Sequence, residues 1–374
     1  MRKAKRVFLI VLDSLGIGAA EDAALFGDAS ADTLGSVVKH GGATLPNLAA
    51  LGLGCIDGVT AVPRVEKPLA SVARLRERSL GKDTTVGHFE LMGIITDKPF
   101  PTYPKGFPRE LIMRVEEALG IGTLCGLPYS GTEVIRDFGE EHIRSGKPII
   151  YTSADSVFQI AAHEEVIPRE RLYEYCRTVR ALLTGKDGVA RVIARPFVGK
   201  PGEFARTDGR HDFSLPPPVP NTMTRLCDRG LSVIAVGKIN DIFSSVGITE
   251  AVPTVGNTDG MARTAELVRR DFRGLCFINL VDFDMLYGHR QDAKGYARAL
   301  EEFDSFIPTL LNGMKDDDLL LITADHGCDP SDDSTDHTRE DVPLLAYSRG
   351  MQPEDLGTLV GLDTVSKLIE DALL

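Results

Sequence analysis

The sequence predicts an α/β protein, a doubly wound core with a smaller α/β domain inserted into it. Residues 7–12 and 319–323 are uninterrupted apolar runs, the pattern of parallel strands that are covered on both faces. Runs of this kind alternate with amphipathic helices. The clearest helix spans residues 296–310, where apolar side chains recur at steps of three and four. This alternation is typical of a parallel sheet with helices on both faces.

Two proline-rich stretches interrupt the alternation and indicate the domain limits. Prolines and glycines accumulate from Phe100 onward, and residues 216–220 contain a second proline cluster. We therefore expect a discontinuous core, residues 1–98 and 218–374, and an inserted cap domain, residues 99–217.

The elements follow one another in a regular order. Apolar or β-branched runs predict strands at residues 7–12, 149–152, 189–196, 232–236, 275–281, 319–323 and 343–347. Helical periodicity, with a proline at the start of the second helix, predicts helices at residues 33–39, 45–51, 110–119, 169–183, 222–229, 258–270, 296–310 and from residue 363. Residues 80–90 are polar and bounded by glycine, which favours neither a helix nor a strand.

Composition narrows the classes of function. The chain has 374 residues, a length typical of two domains, and 43% of them are apolar, enough for a sizeable core. A formal net charge of -12 argues against nucleic acid or an anionic membrane as the main partner. The six cysteines are scattered, which indicates free thiols in a reducing cytosol. The first apolar run is too short for a signal peptide, and no apolar segment approaches the length of a membrane span. We therefore expect a cytoplasmic protein.

Aspartate and histidine residues lie at or just beyond the ends of several predicted strands. They are Asp13, Asp284, His289, Asp325, His326 and His337. The carboxyl ends of parallel strands meet at one edge of a sheet, so these side chains can converge. Six such ligands can hold two divalent cations, and carboxylates with imidazoles suit Mn²⁺, Zn²⁺ or Mg²⁺ better than a soft metal. We do not expect the neighbouring Cys328 to bind metal. The alternative is that several of these aspartates are helix N-caps.

The polar stretch at residues 80–90 contains a candidate nucleophile. It contains two hydroxyl groups, on Thr84 and Thr85, beside Lys82. Two metal ions that contact a phosphoryl oxygen and a hydroxyl lower the pKa of that hydroxyl, and either threonine could then attack phosphorus. Lys82 could hold the phosphoryl group. The alternative is an ordinary polar surface loop.

Longer motifs point to a family. They run in order from end to end: VLDSLGIG, GKDTTVGHFELMG, YTSADSVFQIAAHEE, RVIARPFVGKPG, RHDFSL, NLVDFDMLYGHR and ITADHGCDP followed by TDHTRE. Together they resemble the phosphopentomutases of the alkaline phosphatase superfamily, over essentially the whole chain. The resemblance implies an alkaline-phosphatase-like core and a metal-dependent mutase that moves phosphate between C1 and C5 of ribose or 2-deoxyribose. It also implies pentose phosphates as substrates, two metal ions, of which we expect Mn²⁺, and priming by glucose 1,6-bisphosphate or ribose 1,5-bisphosphate.

The resemblance assigns roles to particular residues. The six aspartate and histidine residues above would be metal ligands, and Thr84 would be both the phosphorylated nucleophile and a further ligand. Ser153 and Asp155 would hold the sugar hydroxyls. The phosphate remote from the metals would be contacted by Arg191, Arg206 and Lys238. From the residues alone, Arg191, Arg195, Arg206 and Arg210 are all candidates, since alternation places Arg191 and Arg195 on one strand face.

Three positions depart from the family pattern, and two other functions compete. Val86 replaces a common threonine, Cys328 a common asparagine, and residues 125–129 a run that usually contains lysine.

One rival is another two-metal enzyme of the superfamily, such as a phosphatase, a phosphodiesterase or a phosphoglycerate mutase, although the last uses serine as a rule. The other rival is a protein that binds metal or sugar phosphate without turnover.

Overall fold

The structure is a computed structural model that describes residues 3–153 and 155–374. It divides into two compact units, Met1–Pro99 with Pro217–Leu374, and Phe100–Pro216. These limits differ by one residue from the expected ones. Among the described helices, none combines the length and the apolar character needed to cross a bilayer.

The described residues form fourteen strands and eleven α-helices. The strands are β1 (Arg6–Leu12), β2 (Ser71–Arg76), β3 (Leu124–Pro128), β4 (Ile149–Thr152), β5 (Val157–His163), β6 (Arg191–Val198), β7 (Ala205–Arg206), β8 (His211–Ser214), β9 (Ser232–Val236), β10 (Glu250–Val252), β11 (Gly274–Leu280), β12 (Asp318–Thr323), β13 (Val342–Tyr347) and β14 (Asp355–Val360). The helices are α1 (Thr33–Ser36), α2 (Pro46–Leu51), α3 (Thr84–Leu91), α4 (Arg109–Leu119), α5 (Gly131–Ser145), α6 (Arg169–Leu182), α7 (Thr222–Asp228), α8 (Ile239–Ile242), α9 (Asn257–Arg269), α10 (Ala293–Gly313) and α11 (Asp363–Leu373).

The first unit is built on an eight-stranded sheet in the order β10-β9-β11-β1-β12-β13-β2-β14. The five strands from β10 to β12 are parallel, whereas β13 runs antiparallel to both of its neighbours. All seven residues of β1 are buried, as expected for a central strand between two parallel partners. The carboxyl ends of β11, β1 and β12 therefore lie side by side.

Helices cover both faces of this sheet, which is the doubly wound arrangement. In one group α10 contacts both α2 and α9, and in another α11 contacts both α3 and α7. The apolar stripe of α10 is buried as its periodicity predicts, with Tyr296, Leu300, Phe303, Ile307 and Leu310 all 1% exposed or less. The predicted α/β fold is confirmed.

The second unit is a smaller α/β structure around a six-stranded mixed sheet. Its strand order is β3-β4-β5-β6-β7, and β8 also pairs with β6. Helices α4 and α6 pack through one apolar cluster that includes Val115 and Val179. Helix α5 packs through a second cluster, which includes Val134 and Tyr151.

Most of the predicted elements are present, and the structure also contains elements that were not predicted. Residues 80–90 were expected to form neither helix nor strand, which is wrong, because α3 begins at Thr84. The side chain of Asp83 accepts hydrogen bonds from the N–H groups of Thr85 and Val86, and this N-cap starts the helix despite the β-branched residues and glycine that follow. Seven further elements in the strand list and two in the helix list were not expected from the sequence: β2, β3, β5, β7, β8, β10 and β14, and α5 and α8.

Candidate active site and metal centre

The first group of side chains lies where β1 and β12 end. Asp13 follows β1 directly, and Asp325 and His326 lie just beyond β12; all three are at most 2% exposed. His326 Nε2 is 3.2 Å from Asp325 Oδ2 and 3.5 Å from Asp13 Oδ1. One potential ligand atom from each side chain lies within 4.8 Å of the other two. Two carboxylates and an imidazole at this spacing can hold a divalent cation.

A second group is formed by the turn after β11 and the loop before β13. Asp284 lies in the π-helical turn Phe283–Gly288, and its Oδ2 is 3.3 Å from His289 Nε2. Its other oxygen, Oδ1, is 3.3 Å from Nε2 of His337. His289 Nδ1 donates a hydrogen bond to the carbonyl oxygen of Thr335 at 2.6 Å, which leaves Nε2 for a ligand.

The two groups are neighbours. The rings of His326 and His337 have centroids 4.1 Å apart, and Asp284, His326 and His337 also form a candidate ligand set. The structure thus brings together all six aspartate and histidine residues named from the sequence. The N-cap alternative is wrong for the three aspartates, because the N-cap residues of the described helices are others.

The hydroxyl of Thr84 lies beside the first group. As the first residue of α3, Thr84 places Oγ1 3.2 Å from His326 Nε2. The neighbouring Thr85 is 3% exposed and packs in the interior of the unit. Of the two candidate nucleophiles, Thr84 is therefore the one at the cluster.

Lys82 is held by carboxylates. Its Nζ lies 3.1 Å from Asp28 Oδ2 and 3.4 Å from Asp336 Oδ2. Asp28 also accepts from the backbone N–H of Arg339, at 2.8 Å. These contacts fix the segment that leads into the N-terminus of α3.

Asp13, Asp284 and Asp325 are buried close together, so their carboxylates are stabilised by nearby positive charge. Burial, and then the negative charges of Asp325 and Asp284, raise the pKa of Asp13 well above its ordinary value. Burial alone would lower the pKa of His326, but the negative charges of Asp325, Asp13 and Asp284 outweigh it and raise that pKa. A site of this kind is stabilised by bound cations.

Unpaired polar atoms show that these residues suit bound divalent ions. In the described part of the chain, four buried ligand atoms form no well-aligned hydrogen bond: Asp13 Oδ1, Asp284 Oδ1, Asp325 Oδ2 and His337 Nε2. The three carboxylate oxygens instead face imidazole nitrogens at 2.9 to 3.5 Å. A buried oxygen or nitrogen without a partner is costly, and all four belong to the two groups. Divalent cations bound to these atoms would supply the missing partners.

Two residues that sequence reasoning did not assign support the first group. Asn279, near the end of β11, donates a hydrogen bond to Asp13 Oδ2 at 2.7 Å. Its amide nitrogen is also 3.3 Å from His88 Nε2, and His88 Nδ1 donates to the carbonyl oxygen of Thr84 at 2.9 Å. This chain of hydrogen bonds joins Asp13 to the first turn of α3. A polar residue in the apolar run of β11 was the signal that could have indicated Asn279.

The residues expected to bind the substrate lie in both units. Ser153 and Asp155 follow β4 in the second unit, and Asp155 Oδ2 is 3.5 Å from Arg191 Nη2. Arg191 begins β6, whereas Arg206 on β7 is paired with Phe197 near the other end of β6. The structure therefore does not place Arg191 and Arg206 at one end of the strand. In the first unit, Lys238 follows β9 and its Nζ is 3.7 Å from Asp241 Oδ2.

The three positions that depart from the family pattern lie in different surroundings. Val86 is buried in α3. Cys328 is also buried, with Sγ 3.9 Å from His289 Nδ1, and it forms a third candidate ligand set with Asp284 and His289. Residues 125–128 belong to β3, whose pairing with β4 is irregular between Cys125 and Pro128.

Comparison with known proteins gives relatives over nearly the whole chain. A family model described as the metalloenzyme superfamily matches residues 5–373. A phosphopentomutase from Acetivibrio thermocellus is 55% identical over 367 residues, which cover 98% of this chain and 95% of the relative. A phosphopentomutase from Carboxydothermus hydrogenoformans is 53% identical over 369 residues, with the same two coverages.

Two solved structures are similar in fold. The PH0037 protein from Pyrococcus horikoshii has a TM-score of 0.52 and 17% identity, covering 100% of this chain and 98% of its own. A Leishmania mexicana phosphoglycerate mutase, determined at low cobalt concentration, has a TM-score of 0.50 and 14% identity, covering 100% and 96%. At these identities the likeness is one of fold alone.

The fold, the two Asp–His groups and the family model define a protein of the metalloenzyme superfamily. Within that superfamily, the identity to curated relatives is high over almost the full length. The chain belongs to the phosphopentomutase family and is an isomerase that transfers phosphate within its substrate.

Proposed function

We propose that this enzyme interconverts ribose 1-phosphate and ribose 5-phosphate, and the 2-deoxyribose equivalents, through a phosphorylated Thr84. The observation that carries the proposal is the position of the Thr84 hydroxyl, 3.2 Å from His326 Nε2 beside two adjoining groups of metal-binding side chains. The names of the curated relatives support the substrate class.

The proposed reaction has two phosphoryl transfers. In the first, the bond from phosphorus to Thr84 Oγ1 breaks as a bond to the free sugar hydroxyl forms, and the sugar proton ends on Oγ1. The product is a pentose 1,5-bisphosphate. In the second, this intermediate presents its other end, Thr84 Oγ1 takes that phosphoryl group, and the proton returns to the sugar. An enzyme of this kind starts from phosphorylated Thr84, so we propose priming by glucose 1,6-bisphosphate or ribose 1,5-bisphosphate.

The residues of the first unit position the reacting groups. Two divalent cations, for which we propose Mn²⁺, would neutralise the phosphoryl oxygens and lower the pKa of the Thr84 hydroxyl. Asp13, Asp325 and His326 would hold one ion and Asp284, His289 and His337 the other, with Thr84 Oγ1 as a further ligand. Oxygen and imidazole ligands are compatible with Mn²⁺. Lys82, tethered by Asp28 and Asp336, would contact the transferred phosphoryl group.

We assign the second unit to the sugar. Ser153 and Asp155 would bind its hydroxyls, and Arg191, Arg206 and Lys238 the phosphate that is not being transferred. The insert would also exclude water, because hydrolysis of phosphorylated Thr84 would turn a mutase into a phosphatase. We also propose a reducing cytosol as the compartment.

One assay separates this function from its rivals. The protein is mixed with Mn²⁺, a trace of glucose 1,6-bisphosphate and ribose 5-phosphate, and the products are followed by ³¹P NMR. Formation of ribose 1-phosphate without free phosphate is the expected result. Free phosphate as the main product would identify a phosphatase, and the absence of both would identify a binding protein. The same assay with 3-phosphoglycerate tests the phosphoglycerate mutase alternative.

A further inference from the structure

A buried arginine follows one of the proposed metal ligands in the first unit. Arg339 is 2% exposed and lies two residues after His337. Between them, Thr338 donates its backbone N–H to the carbonyl oxygen of Gly327 at 2.8 Å and accepts from the N–H of Gly327 at 3.1 Å. Gly327 directly follows His326, another proposed ligand. The backbone of Arg339 is therefore fixed close to two of the proposed metal ligands.

The guanidinium group of Arg339 contacts the segment that precedes α3. This segment, residues 77–83, joins β2 to α3 and is neither helix nor strand. Nη1 of Arg339 is 2.9 Å from the carbonyl oxygen of Ser79 and 2.7 Å from that of Gly81, and Nη2 donates to the carbonyl oxygen of Glu77 at 3.0 Å. One side chain thus holds three carbonyl groups of the segment that leads into the proposed nucleophile.

Two carboxylates fix the orientation of this guanidinium group. Nε of Arg339 is 3.0 Å from Asp22 Oδ1, Nη2 is 2.9 Å from Asp22 Oδ2, and Nη1 is paired with the side chain of Glu77. Burial raises the pKa of Glu77 well above its ordinary value, and the positive charge of Arg339 acts against this shift. A planar guanidinium group can bind acceptors in several fixed directions at once, which the ammonium group of lysine cannot do.

The backbone of Arg339 is also connected to Lys82. The N–H of Arg339 donates to Asp28 Oδ2 at 2.8 Å, and the same oxygen is 3.1 Å from Nζ of Lys82. Lys82 belongs to the segment before α3, and Thr84 is the first residue of that helix. Arg339 therefore contacts, directly or through Asp28, the parts of the chain that place both of these residues.

We infer that Arg339 is a positioning residue, which holds Thr84 and Lys82 in place relative to the proposed metal ligands. It acts through residues 77–83 and Asp28 rather than by contact with phosphate. The inference rests on the proposed function, in which Thr84 is the nucleophile. Phosphoryl transfer depends on the position of the attacking oxygen, and a displacement of about 1 Å can cost about 100-fold in rate. Loss of the contacts of Arg339 should therefore slow turnover more than it weakens binding.

The same substitution at two buried arginines tests the inference. Arg6 is also fully buried, is paired with Asp318, and donates to the carbonyl oxygens of Val268 and Arg270, but it lies at the amino end of β1. Arg339→Lys and Arg6→Lys each keep the charge and lose the guanidinium group, so both should lower the melting temperature. In the ribose 5-phosphate assay, Arg339→Lys should lower kcat at least about tenfold, with KM and Mn²⁺ affinity within about twofold. Arg6→Lys should keep the kcat of the unmodified protein.

Hydrogen–deuterium exchange measures the position of the segment without turnover. The Mn²⁺-loaded, unprimed proteins are compared by mass spectrometry of their peptides. In Arg339→Lys, amides of residues 77–91 should exchange faster than in the unmodified protein, including Thr85 and Val86, whose N–H groups donate to Asp83. In Arg6→Lys, exchange in this region should be unchanged.

A milder pair of variants covers the case in which Arg339→Lys does not fold. The side chain of Asp22 is 33% exposed, so Asp22→Asn weakens the hold on Arg339 with less disturbance of the interior. It should lower kcat at least about threefold at unchanged Mn²⁺ affinity, and it should speed exchange in residues 77–91. Asp318→Asn, which removes the charge that pairs with Arg6, is its control and should keep full kcat.

The outcomes separate this inference from the proposed function. An equal loss of kcat in Arg339→Lys and Arg6→Lys would refute a positioning role, since that pattern indicates general instability. A kcat within about twofold of the unmodified protein, or a loss of Mn²⁺ affinity as large as the loss of kcat, would also refute it. If the unmodified protein forms no ribose 1-phosphate, the proposed function fails and hydrogen exchange decides alone. Faster exchange confined to residues 77–91 in Arg339→Lys would then support the inference, and unchanged exchange would refute it.

Discussion

The two units of this protein contain unbalanced charge of opposite sign. In the first unit, Asp13, Asp284 and Asp325 meet near the ends of adjacent strands, and each has a buried oxygen that forms no well-aligned hydrogen bond. In the second unit, Arg195 and Arg206 surround a hydroxyl without a partner, and neither is matched by a carboxylate in the described ranges. The first unit is suited to bind cations, whereas the second has positive charge gathered around Tyr151.

Buried ion pairs elsewhere in the first unit show why charge without a partner is informative. Arg6 and Asp318, both fully buried, form an ion pair, and the buried Arg339 is paired with Asp22 and Glu77. Buried charges of this kind are normally matched within the chain. Charge that remains unmatched therefore marks a place where a ligand completes the structure. Asp13, Asp284 and Asp325 are almost fully buried, which suits resident ions.

Replacement of the nucleophile should have the largest effect. Thr84→Val exchanges the hydroxyl beside the cation-binding group for a methyl group, and the mutase rate should fall at least about 1000-fold. The melting temperature should be nearly unchanged. Thr85→Val is the matched control and should retain activity. A Thr84→Val protein that kept more than about a tenth of the rate would place the nucleophile elsewhere.

Much of this arrangement could be predicted from the sequence because its signals are local. Continuous apolar runs predicted β1 and β12, and the Asp and His residues beyond the strands predicted the ligand groups. In a parallel sheet, a strand end is enough to place a residue at the common edge. Because β1 is central and is flanked by β11 and β12, the three aspartates converge without further information.

The rest depended on tertiary contacts that no local pattern reveals. The helical state of residues 84–91 depends on the N-cap by Asp83 and on burial, which outweigh unfavourable propensities. The positions of Arg191 and Arg206 depend on the pairing of β6 with β7 and β8, and strand register cannot be derived from alternation alone. The contact of Asn279 with Asp13 is likewise a property of the assembled sheet.

Loss of the hydrogen bond from Asn279 to Asp13 should weaken cation binding by the first unit. Asn279→Leu removes the donor 2.7 Å from Asp13 Oδ2, and affinity for Mn²⁺ should fall about 10- to 100-fold, as for other residues that orient metal ligands. Free Mn²⁺ measured by electron paramagnetic resonance gives the affinity. Asn312→Leu, at an exposed position near the end of α10, is the control. Unchanged Mn²⁺ affinity in Asn279→Leu would show that Asp13 needs no such support.

A substitution in the insert should separate sugar binding from metal binding. Asp155→Ala should weaken binding of ribose 5-phosphate about tenfold, since a hydrogen bond to a charged group is lost, while Mn²⁺ affinity stays unchanged. Calorimetric titration with each ligand measures both. Asp187→Ala, which removes the partner of Arg114 in the same unit, is the control. An equal loss of both affinities in Asp155→Ala would show that the insert does not bind the sugar.

Replacement of Cys328, which lies beside the proposed metal ligands Asp284 and His289, should have the smallest effect on Mn²⁺ affinity. Cys328 Sγ lies 3.9 Å from His289 Nδ1, the nitrogen that already donates to the carbonyl oxygen of Thr335, so the thiol is on the side of the ring away from Nε2. Burial raises the pKa of this thiol above its ordinary value, which keeps it neutral and a weak ligand. Cys328→Ser should therefore change Mn²⁺ affinity less than twofold, and the Co²⁺-loaded protein should show no thiolate-to-cobalt absorption band. A band that disappears in Cys328→Ser would mean that the thiolate completes the ligand set with Asp284 and His289, and that the acidic group is not restricted to oxygen and nitrogen ligands.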